Sequence, residues 1–236
     1  MPGLFCAGVL ACVLAGSPQT DSIQLFALGC DTSTGLVRLH TGPFNPNRPT
    51  LVVVHGINLT PHLVHFTLAE RYAEVAGPAY NVLAWDWNAA TLPSVRPSVV
   101  DRAAVGQGLM LASVLGQLGV EPSRLHLIGQ STGSVVAASC AQALLHSTGR
   151  PVDHLTLLDP SVSQHTLIFE GLNAPGCSRN LEHLYAPGPS GFGALAPYVG
   201  VKNYSAPTPS RWRGLFRPSQ TDHMNVVRWH LRTFPL

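Results

Sequence analysis

Leu125-His126-Leu127-Ile128-Gly129-Gln130-Ser131-Thr132-Gly133 is the stretch on which the reading of this chain turns. A short run suited to a buried strand leads directly into Gly-x-Ser-x-Gly, and small residues follow at Ser134, Ala137 and Ala138. A serine on a sharp strand-to-helix turn sits in a strained backbone conformation. Glycine on both sides relieves the crowding, and small residues behind it let the helix lie close to the strand. The pentapeptide alone is a weak signal, since glycine and serine are common in turns; its position between a strand and a helix makes it specific. Ser131 is the candidate nucleophile.

Outward from this turn the chain alternates short apolar runs with longer amphipathic ones, and Gly, Pro, Asn or Asp marks the junctions. Leu51–Val54, Val82–Trp85, Leu125–Ile128 and Leu155–Leu158 read as buried strands, with two more at Leu181–Tyr185 and Val201–Ser205. Helices are expected near 62–76, 99–118, 133–147 and 223–233, so strand and helix alternate as parallel crossovers require. In the second of these, Val105, Leu109, Leu111, Val114, Leu115 and Leu118 are assigned to the sheet-facing side. Ile23–Leu28 and Leu36–His40, separated by Asp31-Thr32-Ser33-Thr34-Gly35, read as an antiparallel hairpin. The Pro- and Gly-rich stretch from Ala186 to Gly200 argues against any long element there. The expected class is α/β: a mostly parallel sheet, an N-terminal antiparallel hairpin, and helices on both faces.

The 236 residues suit one such domain, taken as 17–236. A formal charge of +2 gives no field that would attract nucleic acid, and no nucleic-acid or obligate protein partner is inferred. The apolar run Leu4–Ala15, followed by polar residues from Ser17, resembles the h-region of a signal peptide over 1–16, although its n-region carries no Lys or Arg. Export is therefore expected, with an N-terminal strand, an uncleaved anchor or a lipid anchor at Cys12 as the alternatives. Removal of that leader leaves Cys30, Cys140 and Cys177, enough for at most one intramolecular disulfide.

A serine hydroxyl needs a base, usually a histidine oriented by a carboxylate. On a strand–elbow–helix these partners follow in the order Ser, acid, His. Asp159 ends the strand after the elbow, where a carboxylate emerges at the same sheet edge as Ser131. Asp-Pro turn initiation explains that residue equally well. Of the histidines that follow, His165 is too near Asp159 in sequence, His183 falls within a strand and His230 within the last helix. His223, on the connection into that helix, is the assigned base, with His183 as runner-up. The oxyanion donors are expected to be the main-chain N–H of Thr132 and that of Ile57, the latter on the turn His55-Gly56-Ile57-Asn58. His62 and His65 read as a surface pair rather than a metal site, and no cofactor or metal is expected. Trp85-Asp86-Trp87 is assigned to packing, with a pocket wall as the alternative. The mixed run Arg211–Arg217 offers transient contact with a lipid interface as the alternative to ordinary loop packing.

Val53-Val54-His55-Gly56, Ala84-Trp85-Asp86-Trp87, Leu125–Gly133 and Leu157-Leu158-Asp159-Pro160 together resemble, in order, the lipase family that includes pancreatic and lipoprotein lipases. The resemblance covers about residues 50–160. It implies an α/β-hydrolase fold, hydrolysis of carboxylic esters of lipid or small-molecule type, and the roles given above to Ser131, Asp159, Ile57 and Thr132. His223 rests on chain order and topology. The family usually carries His before the nucleophile and Leu after it, whereas this chain has Gln130 and Thr132. With no Cys-bounded lid insertion in view, soluble or short-chain esters are credible substrates. The rival readings are an acyltransferase or peptidase on the same fold, and a non-catalytic lipid-binding homologue.

Overall fold

Thr50–Val54, rich in β-branched valine, forms a strand with every residue buried, as expected for a strand covered on both faces. It is the third strand, β3, of an eight-stranded sheet in the computed structural model. The structure describes residues 24–26, 36–39, 44–57, 64–87, 97–187, 195–197, 200–207 and 218–233. The strands are β1 (Gln24–Phe26), β2 (Leu36–Leu39), β3, β4 (Asn81–Asp86), β5 (Leu125–Gln130), β6 (Val152–Leu158), β7 (Ser178–Tyr185) and β8 (Val201–Ser205). Their spatial order is β1-β2-β4-β3-β5-β6-β7-β8. β1 pairs antiparallel with β2, and β2 with β4; every pairing from β4 through β8 is parallel. The expected antiparallel pairing of the first two strands and the parallel sheet are thus both present, and the turn assigned to Asp31–Gly35 lies outside the described residues.

Alternation along each strand sorts the interior into two cores. Val52, Val54, Leu83, Trp85, Leu125, Leu127, Leu155 and Leu157 point to one face. There they meet α2 (Pro97–Gln117), α3 (Gly133–Thr148), α4 (Val162–Gly171) and the single turn α5 (Ala174–Cys177). Leu51, Val53, Val82, Ala84, Ile128, Leu158 and Leu184 point to the other face, against α1 (Val64–Ala76) and α6 (Pro218–Thr233). Burying one such leucine stabilises the fold by about 1.5–3 kcal/mol, so each core is a large term for its own helices.

Three departures from the sequence reading have physical causes. In α2 the buried stripe runs through Val100, Ala104, Leu111, Ala112 and Leu115, while Leu109 is 53% exposed. At about 100° per residue, Leu109 lies roughly 200° around the helix from Leu111, so both cannot face the sheet. The stripe also includes Gly108, where a Cβ would come within 2.5 Å of Ser139 Cβ and of the Val136 carbonyl of α3. The α2–α3 approach needs that glycine. α4 had no counterpart in the reading: Ser161-Val162-Ser163-Gln164-His165-Thr166 is poor in strong helix formers. α6 begins at Pro218, a residue suited to a helix's first turn, so His223 lies inside the helix rather than on the connection before it.

Cys140 and Cys177 are free and buried in the first core. Burial raises both thiols, that of Cys177 to about 11. The leader over 1–16, Cys30, the His62 and His65 side chains, Asn58 and the run 211–217 lie outside the described residues.

Candidate active site

The elbow is built by close approach. A Cβ on Gly133 would collide with the His55 carbonyl oxygen and lie 2.6 Å from that of Val54, and one on Gly129 would lie 2.5 Å from the Gly133 carbonyl oxygen. These obstacles are backbone atoms, so no side-chain rotation relieves them. Between the two glycines Ser131 adopts φ 54°, the left-handed region that a non-glycine residue enters at a cost of about 1–2 kcal/mol. The strain is held by hydrogen bonds: Ser131 N–H donates to the Leu158 carbonyl at 2.8 Å, and Ser134 Oγ donates to the Gly129 carbonyl at 2.8 Å.

Asp159 repeats the device one strand over. Gln130 pairs with Leu158 across β5 and β6, so Ser131 and Asp159 each lie one residue past the last rung of the same ladder. Asp159 also has a positive φ, 49°, and its N–H donates to the Leu184 carbonyl of β7 at 2.7 Å. The carboxylate is 2% exposed; Oδ1 accepts from the Ala186 N–H at 3.1 Å, and Oδ2 accepts from His223 Nδ1 at 2.7 Å.

The other histidines after Asp159 are engaged elsewhere. His165 Nε2 is 3.1 Å from Asp101 Oδ1 on α2, His183 Nδ1 is 2.9 Å from Asn203 Oδ1 on β8, and His230 Nδ1 is 2.5 Å from the Tyr72 hydroxyl on α1. Burial lowers the pKa of all three. It outweighs the opposing effect of Asp101 at His165, and those of Asn203 and Asp159 at His183, and brings His230 down to about 4. The runner-up His183 therefore does not take the position of His223.

The turn after β3 abuts the elbow. A Cβ on Gly56 would lie 2.7 Å from Ser131 Cβ, so only glycine passes there. Ile57 follows, 42% exposed, and Thr132 is buried at the N-terminus of α3. Thr132 directly follows Ser131 in the chain, and Ile57 directly follows the glycine that abuts Ser131. His55 is pinned by its neighbours: Trp87 Nε1 donates to its carbonyl at 2.8 Å, and the Trp87 N–H donates to its Nε2 at 3.2 Å. Trp85 and Trp87 are both buried, the packing role expected of them.

In sequence Gln130 stands out only as a departure from the lipase pattern; in the structure its side chain has two partners. Its Oε1 accepts from the Gly56 N–H at 2.9 Å, and its Nε2 lies 2.8 Å from His223 Nε2. The main-chain N–H of Gly56 can only donate, which fixes Oε1 on that side and turns the amide N–H toward His223. His223 Nε2 must then accept, leaving the imidazole proton on Nδ1, which donates it in a hydrogen bond to Asp159. Among the described residues, no group of three or more His, Cys, Asp or Glu is placed to hold a metal ion.

No protein-family model matches the chain. Among curated proteins, pancreatic lipase-related protein 2 of Myocastor coypus is 30% identical over 133 residues, 55% of this chain and 27% of the relative's length. The chain thus spans little more than a quarter of that relative. Of solved structures, an esterase of Pyrobaculum calidifontis superposes with a TM-score of 0.54 at 14% identity, covering 92% of this chain and 85% of the other. Esterase 2 of Thermogutta terrifontis gives 0.53 at 14% identity, covering 88% and 91%. The chain has the α/β-hydrolase fold of these esterases, and its sequence is similar in part to a lipase-related protein.

Proposed function

We propose that the chain is a serine hydrolase of carboxylic esters, lipase- or esterase-like, that works through an acyl-enzyme on Ser131, His223 and Asp159. The observation that carries this reading is the 2.7 Å hydrogen bond from His223 Nδ1 to Asp159, at the sheet edge where Ser131 stands on its strained elbow. Similarity to esterases and to a lipase-related protein supports the substrate class.

In the proposed reaction His223 Nε2 takes the proton of the Ser131 hydroxyl as Oγ attacks the ester carbonyl. Asp159 stabilises the imidazolium. The N–H groups of Ile57 and Thr132 receive the negative oxygen, with the Thr132 donor at the positive end of α3. Collapse of the tetrahedral species breaks the ester C–O bond, and the proton on His223 goes to the leaving alcohol. Water, deprotonated by the same imidazole, then releases the acid and restores Ser131. The reaction so written uses no cofactor. On the same reading the run Leu4–Ala15 directs export, and contact with a lipid surface is transient.

The test is labelling of the purified protein with a fluorophosphonate, with the adduct located by peptide mass spectrometry, alongside hydrolysis of p-nitrophenyl esters of increasing chain length. A phosphonylated Ser131 and ester turnover abolished in Ser131→Ala are expected. Turnover that survives in Ser131→Ala, or a folded protein that neither labels nor hydrolyses any ester in the series, overturns the proposal.

A further inference from the structure

The amide of Gln130 stands between two groups the reaction needs. It is anchored by the Gly56 N–H of the turn after β3 and reaches His223 Nε2, the nitrogen assigned to take the Ser131 proton. We propose that Gln130 is a positioning residue for the base: its amide, oriented by Gly56, donates to His223 Nε2 and holds the imidazole with its lone pair turned toward the elbow until the Ser131 hydroxyl replaces that donor. This rests on the reading of His223 as the base.

The geometry leaves little freedom. Gln130 is the last residue of β5, paired with Leu158 of β6, so its backbone moves with the elbow itself. Its side chain crosses from the nucleophile strand to the helix that carries His223, joining residues 93 positions apart in sequence. His223 is thereby held from both ring nitrogens, by Asp159 at 2.7 Å on one side and by Gln130 at 2.8 Å on the other. Asp159 faces the ring from the end of β6. Behind it on β7, His183 and Tyr185 stack on each other with centroids 5.6 Å apart.

An amide N–H aimed at the lone pair favours the unprotonated ring. Its removal favours the imidazolium, and an acceptor in its place favours the imidazolium further. Two variants separate this from a role in packing. Gln130→Met keeps the length of the side chain and removes the donor. Gln130→Glu keeps the shape and the acceptor for Gly56 but presents a carboxylate oxygen to His223.

The measurement is the rate of Ser131 phosphonylation by a small fluorophosphonate as a function of pH, on full-length proteins shown by circular dichroism to be folded. The midpoint of the acidic limb is expected to move to higher pH by about 0.5–1 unit in Gln130→Met, the equivalent of one ordinary hydrogen bond. It is expected to move at least ~1 unit beyond that in Gln130→Glu, as an ion pair requires. Coincident midpoints in the three proteins, or a Gln130→Glu midpoint at or below that of the wild type, overturn the inference even where rates fall. Absence of labelling in the wild type itself is the distinct failure of the functional reading on which the inference depends.

Discussion

Replacement of Asp159 by Asn tests the site at the point where its hydrogen bonds leave no slack. The substitution preserves size, and Asn tolerates the left-handed backbone at φ 49° better than most residues do. The Ala186 N–H is a fixed donor to Oδ1, so the new amide must keep its oxygen there and turn its NH2 toward His223. The imidazole then either opposes donor to donor at Nδ1 or moves its proton to Nε2. At Nε2 the proton meets the Gln130 amide, whose own oxygen is held by the Gly56 N–H at 2.9 Å. One repulsive contact survives in either tautomer, and the developing imidazolium loses its counter-charge. The expected loss in kcat is on the order of 10^3- to 10^4-fold, or ~4–5.5 kcal/mol of transition-state stabilisation. Initial rates of p-nitrophenyl ester hydrolysis measure it, with near-UV circular dichroism showing that the fold persists. A folded Asp159→Asn protein that keeps more than about a tenth of the wild-type kcat, a loss under one decade, refutes the reasoning.

Two further outcomes are expected. Gly133→Ala should destabilise the protein by about 1–3 kcal/mol or more, because its methyl group meets two carbonyl oxygens of the β3 turn and the backbone itself must move; urea unfolding measures this, and a loss below ~1 kcal/mol contradicts the close approach. The folded pKa of His230 is depressed to about 4 from 6.5, so between those values the unfolded chain binds a proton that the folded chain does not, and stability falls as pH falls through that window. Its share of the fall is at most ~3 kcal/mol. His230→Phe should flatten the pH dependence of urea midpoints between pH 7 and 4.5, and an unchanged slope counts against the assignment.

What the sequence discloses of this site is what backbone geometry demands. Gly129 and Gly133 are legible because no other residue fits at the elbow, and Asp159 because a strand's end fixes where its carboxylate emerges. Elimination by element does not isolate His223, which lies inside α6 as His230 does; what separates them is that His183 and His230 are engaged with Asn203 and Tyr72 while His223 reaches Asp159. The clamp on Gln130 leaves no such mark, since a side-chain amide records neither of its partners in local sequence. The pairing of Tyr72 with His230, 158 residues apart, is equally silent. α4 is not legible in the sequence because tertiary packing of Phe169 and Leu172 stabilises a helix that its own propensity does not announce. The extra turn at the start of α6 has no apolar periodicity to reveal it.

The division of the interior into two cores bears on how such a protein fails. Ser131 is fixed by β5 and α3, which belongs to the first core, whereas His223 arrives on α6, seated over the second by Val226 and Val227 and pegged to α1 through Tyr72. Stability is not uniform across a structure, and an element can open locally while the rest stays folded. Lifting α6 would carry the imidazole away while the sheet and the elbow stay intact. Catalysis would then be extinguished, on heating or in mild denaturant, before the bulk spectroscopic signal of the sheet has changed, and regained on cooling without refolding of the rest.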